Sequence, residues 1–163
     1  MPKARKIKSD SPVQINCVWG HLCSLSSIDQ ERNNISLFNL IDQLNLPLDF
    51  FKERERQKAK IGLFPVSYEI VLLFRKIVNI DTSHELAVDV KIKLVDPSGE
   101  VLQETLSPIK FAPGIKRFRA RIRSNAVAVT TTGDYVYRVE VKEPLAEDFM
   151  QVLNIPFEIV SVG

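Results

Sequence analysis

Histidine and cysteine are scarce in this chain of 163 residues, with two of each. Covalent catalysis needs a serine, cysteine or threonine held by a base, and only His21 and His84 offer an imidazole. Zinc sites need paired cysteines or histidines at short spacing, and no such pair occurs. Gly20, Gly62, Gly99, Gly114, Gly133 and Gly163 never cluster, which excludes a glycine-rich phosphate loop. No sign of charge dominates: 22 lysines and arginines face 20 acids, so net charge selects no partner. Long apolar runs are missing too. The longest, such as Ile70-Val71-Leu72-Leu73-Phe74, are strand-sized and far short of a membrane span. The basic start, with Lys3, Arg5, Lys6 and Lys8, is followed by Ser9-Asp10-Ser11-Pro12 where a signal peptide would be apolar. The expectation is a cytoplasmic protein without membrane contact, with residues 1–11 as a flexible basic arm and 12–163 as one domain.

What the sequence does have is period-two patterning. Apolar residues make up 45% and charged residues 26%, a balance that supports a packed core without disulfides. Gln14 to Ser24 is apolar on both sides and reads as a strand well inside a sheet, with Trp19 at its middle. A polar turn, Asp29 to Asn34, leads to the apolar segment Ile35–Leu44, for which a helix is the alternative and arrival after a short turn favours the second strand of a hairpin. Asn45 to Gly62 breaks the pattern with Pro47 and a charge run from Lys52 to Lys58, which predicts a surface loop or one short helix. Strands then follow at Val66–Phe74, Leu86–Leu94, Val101–Leu106, Lys116–Thr130, Tyr135–Val141 and Val152–Val160. Asp96-Pro97-Ser98-Gly99 carries the residues of a type I turn. About eight strands without strand-helix-strand alternation predict an all-β fold, an antiparallel two-sheet sandwich, with a closed barrel as the alternative.

The segment Ile35-Ser36-Leu37-Phe38-Asn39-Leu40-Ile41-Asp42-Gln43-Leu44, after its polar turn and before Gly62-Leu63-Phe64-Pro65, resembles an uncharacterised bacterial family of small immunoglobulin-like sandwiches. Asn39 stands where that family often has glycine. The resemblance implies an immunoglobulin-like sandwich of unknown function, and it supplies no site residues.

Candidate chemistry is thin. His21 falls in strand phase with Cys17, Trp19 and Cys23, but residues two apart on a strand lie about 7 Å apart, and the neighbouring tryptophan points to core packing rather than a cysteine–histidine pair. His84, in Asp81-Thr82-Ser83-His84-Glu85, reads as a solvated loop residue. Asp29, Glu31 and Asn33 alternate as calcium-loop ligands can, but the required glycine and closing glutamate are absent, so a plain turn is expected. No catalysis, cofactor or metal is expected.

One feature stands out. No acid occurs between Glu104 and Asp134, while Lys110, Lys116, Arg117, Arg119, Arg121 and Arg123 fall there, the four arginines on one strand face opposite Phe118, Ala120 and Ile122. This basic stripe can bind an anion or a partner, and with the N-terminal arm it can meet nucleic acid. The preferred alternative is a solvated sheet face whose arginines pair with cross-strand acids such as Glu140, Glu104 or Asp89 and guard the strand edge. The reading is a non-catalytic interaction or accessory module for a protein partner, possible as a homodimer through its open sheet edges, with a nucleic-acid-associated protein as the alternative.

Overall fold

The computed structural model describes residues 15–77 and 83–163. The basic arm at 1–11, the first residue of the expected opening strand, Gln14, and Asp81 and Thr82 lie outside the described residues. Nine strands and one helix are described: β1 (Ile15–Asp29), β2 (Asn34–Leu40), β3 (Gln43–Pro47), α1 (Leu48–Arg56), β4 (Gly62–Lys76), β5 (Leu86–Val95), β6 (Val101–Phe111), β7 (Arg117–Val129), β8 (Gly133–Lys142) and β9 (Met150–Val162). They form two sheets. The first runs β2-β1-β4-β7 and the second β3-β9-β8-β5-β6.

Two corrections to the sequence reading come from one place. The expected single strand Ile35–Leu44 is split into β2 and β3, and β3 pairs with β9 in parallel, so the second sheet is mixed rather than antiparallel. Asn39 takes a left-handed φ of 51°, which a short polar side chain tolerates and which turns the chain out of β2. The two residues that follow then stitch the sheets together. Ile41 N–H donates to the Leu22 carbonyl in β1, and the Asp42 carbonyl accepts Glu158 N–H in β9.

The alternation in the sequence becomes the core. Val88, Val90, Ile92 and Leu94 of β5 meet Tyr135, Tyr137, Val139 and Val141 of β8, and Ile70, Leu72 and Phe74 of β4 close over them from the first sheet; all are buried. Their burial is the main stabilising term, at roughly 1.5–3 kcal/mol per large side chain. Gly20 leaves room for side chains of both sheets, since a Cβ there would lie 2.5 Å from Leu153 Cδ2 of β9 and 2.6 Å from Leu72 Cδ2 of β4. The buried Tyr68 and Tyr137 hydroxyls satisfy each other across the sheets. The expected turn forms at Asp96: its carbonyl accepts Gly99 N–H at 2.9 Å, and Gly99 takes a φ of 86°. The helix falls inside the predicted 45–62 stretch. Pro47 precedes its first residue in extended backbone without a side-chain cap, Asp49 occupies its first turn and Arg54 and Arg56 its last, as the helix dipole favours. Phe51 is buried, and the Arg54 guanidinium reaches the Thr130 carbonyl at the end of β7.

Candidate functional site

The first sheet carries both the sequence-predicted stripe and an apolar surface that the sequence reading missed. β7 is one edge of this sheet, and its register with β4 sets Arg117 opposite Arg75, Arg119 opposite Leu73, Arg121 opposite Val71 and Arg123 opposite Glu69. The four arginines do share one face. Directly opposed residues of an antiparallel pair point the same way, so Glu69, Val71 and Leu73 lie on that outer face with them. All three are nevertheless buried.

The cover is the β1–β2 hairpin. Arg119 donates from Nη2 to the Asn33 carbonyl at 2.6 Å and from Nη1 to Asn33 Oδ1 at 2.9 Å, in the turn between β1 and β2. Arg121 reaches the Ser26 carbonyl at 3.4 Å, and the Ser26 hydroxyl donates to Glu69 Oε2. Arg123 Nε donates to Glu69 Oε1 at 2.8 Å. Burial works to raise the Glu69 carboxyl; the hydrogen bonds from Ser26 and Arg123, with the charges of Arg123 and Arg121, outweigh it and hold the group below the usual carboxylate range. Three of the four arginines thus serve the chain itself. Among the described residues Arg117, beside Arg75, has no ion-pair partner.

The acids expected to pair with the stripe do not do so, because β7 belongs to the other sheet. Glu140 pairs with Lys93 at 2.9 Å and Glu104 with Lys91 at 3.5 Å, while Asp89 stands opposite Pro108 and Lys142. Lys110 lies 3.5 Å from Glu85.

The Cys17-Trp19-His21-Cys23 row is also corrected. The register shifts between Cys17 and Trp19, so Cys17 opposes the core residue Phe74, whereas Trp19, His21 and Cys23 oppose Leu73, Val71 and Glu69 on the outer face. His21 is exposed, not core, and its ring lies beside Trp19, tilted by 33° with centroids 5.5 Å apart. Burial pushes the Cys17 thiol up to about 12, against a weaker opposing hydrogen bond to the Trp19 carbonyl. Burial and the Glu69 charge also raise Cys23. A thiol held protonated is a poor nucleophile. His84 is exposed. Asp29 Oδ1 accepts the N–H groups of Glu31 and Arg32, which is a turn. Among the described residues no group of three or more His, Cys, Asp or Glu side chains converges for a metal.

The missed surface is the hairpin's other aspect. Leu25 and Phe38 face each other in register, and Leu40, two residues along β2 past the left-handed Asn39, stands opposite Cys23. Leu25, Phe38 and Leu40 are 53%, 47% and 59% exposed. Beside Leu40, a half-open cleft of about 390 Å³ is lined by His21, Leu22, Asp42, Asn154 and Pro156. The signal is present in the sequence as the uncharged run Ile35 to Leu40, whose pattern marks a hairpin strand without marking its exposure. No helix among the described residues is long and apolar enough to cross a membrane. The chain matches no protein-family model and no curated protein.

Proposed function

We propose that the protein is a non-catalytic, cytoplasmic interaction module that binds a protein partner through the apolar strip Leu25, Phe38 and Leu40. The observation that carries this reading is the exposure of Leu25 and Phe38, opposed in register, with Leu40 two residues along the same edge hairpin. Such contiguous patches mark binding surfaces more often than isolated exposed leucines do. The same hairpin is braced against the sheet by Arg119, Arg121 and Ser26, so the strip is presented on a fixed support.

An immunoglobulin-like fold, and membership of the bacterial family the sequence resembles, belong to the same proposal. With β1, β4 and β7 taken as strands A, B and E, and β5, β6, β8 and β9 as C, C′, F and G, the orders A-B-E and C′-C-F-G follow. The Tyr135 hydroxyl, at the start of β8, donates back to the Thr131 carbonyl at 2.6 Å and accepts Thr130 N–H at 3.0 Å, as a tyrosine corner does. The nucleic-acid reading has less support, since Arg119, Arg121 and Arg123 are occupied within the chain.

The test is capture from nuclease-treated extract of the source cells on the immobilised full chain. Wild type is expected to retain a protein partner that Phe38→Asp/Leu40→Asp loses. Retention that nuclease abolishes, or that the double variant leaves intact, overturns the proposal.

A further inference from the structure

We propose that β2 pairs edge to edge with β2 of a second copy of this chain, joining two first sheets across a two-fold axis. The inference rests on reading the β1–β2 hairpin as a binding surface and names an occupant for the edge of β2, which pairs with no other strand among the described residues. Free edges offer unpaired N–H and C=O groups, and proteins guard them with charges, prolines or bulges. The other outer strands are guarded: β7 by its arginines, β6 by Glu104, Pro108 and Lys110, and β3 by Pro47. β2 reads Asn34-Ile35-Ser36-Leu37-Phe38-Asn39-Leu40, with no charge and no proline, and its register with β1 runs without a bulge.

The occupant follows from this neutrality and from the strand's geometry. An edge with no charge has nothing to select a charged strand, and against itself it meets no like-charge repulsion. Its regular part ends where Asn39 turns left-handed, so the usable stretch is Asn34 to Phe38 and its midpoint is Ser36. An antiparallel two-fold pairing about Ser36 sets Ser36 against its own copy, Ile35 against Leu37 twice, and Asn34 against Phe38 twice. Small hydroxyls meet at the axis and apolar pairs flank it. Edge bonding lies in the plane of the sheet, so the Leu25, Phe38 and Leu40 strip stays open on the face. Pairing doubles that strip into one continuous surface.

Light scattering of the full chain over a concentration series tests the proposal, together with oxidation of Ser36→Cys. Opposed residues in an antiparallel pair have Cα atoms about 4.5–5.5 Å apart, within the range a disulfide spans. The expected result is a mass rising to twice 18.5 kDa, loss of that dimer in Ser36→Lys, its retention in Ser36→Thr, and a covalent dimer of Ser36→Cys under mild oxidant. Ser36 is exposed and both native cysteines are buried, so neither folding nor stray cross-links confuse the outcome. A mass of 18.5 kDa at every concentration, a dimer that Ser36→Lys leaves intact, or a dimer that Ser36→Cys fails to cross-link overturns it. A monomer that still captures its partner through Phe38 and Leu40 overturns self-pairing alone; a dimer that captures nothing overturns the interaction reading alone.

Discussion

The first sheet has two edges of opposite character. β7 carries four arginines on one face, and β2 carries no charge at all. In sequence the arginine edge looks like the functional one. In the fold three of its cations turn inward to the hairpin and Glu69, while the neutral edge leaves Phe38 and Leu40 exposed. Charge that finds a partner inside the chain is spent on architecture. Apolar surface that finds none is left for another molecule.

That contrast can be broken most sharply at Glu69. Glu69→Gln removes the buried charge and turns one of the two oxygens that accept from Ser26 and Arg123 into an NH2 donor, so only one of these bonds can be kept. It is expected to destabilise the fold by about 1–3 kcal/mol in urea denaturation. It also carries a pH signature. The folded Glu69 carboxyl lies below its unfolded value, so its contribution is complete above about pH 4.3 and is lost as pH falls through the folded value. Wild type is expected to lose stability over that acid range more steeply than Glu69→Gln. Equal acid slopes would show that the carboxylate is not held by its partners.

A smaller effect is expected from Arg119→Gln/Arg121→Gln, about 1 kcal/mol, because these cations hold the hairpin through partly solvated hydrogen bonds. The smallest is Arg117→Gln. With no ion-pair partner among the described residues, it is expected to change stability by less than about 0.5 kcal/mol in the same assay. The ranking Glu69, then Arg119 with Arg121, then Arg117 distinguishes an internal brace from a uniform solvated stripe, for which all three changes would be equally silent.

Why the stripe was legible and its partners were not follows from what period-two patterning reports. Alternation along Leu86–Leu94 or Tyr135–Val141 tells which side chains face the core, and those strands stand where the pattern put them. It says nothing about which strand lies alongside. Arg123 finds Glu69 54 residues away because β7 pairs with β4; the acids Glu140 and Glu104 belong to the other sheet. The bulge beside Val18 shifts phase within a strand, so Cys17 and Cys23, in phase by counting, end on opposite faces. The split of Ile35–Leu44 hinges on one left-handed asparagine, a conformation that sequence marks only weakly. An apolar strand at an edge and one in a core are spelled alike, which is why the exposure of Leu25, Phe38 and Leu40 is not legible in the sequence.

The central claim is that the β7 arginines brace the β1–β2 hairpin rather than face a ligand. Native-state hydrogen exchange tests it directly, comparing wild type with Arg119→Gln/Arg121→Gln over the amides of Leu25–Phe38 and over β5 and β8 of the second sheet. The account predicts faster exchange in the hairpin of the variant, with β5 and β8 unchanged. Identical hairpin protection in the two proteins would contradict it.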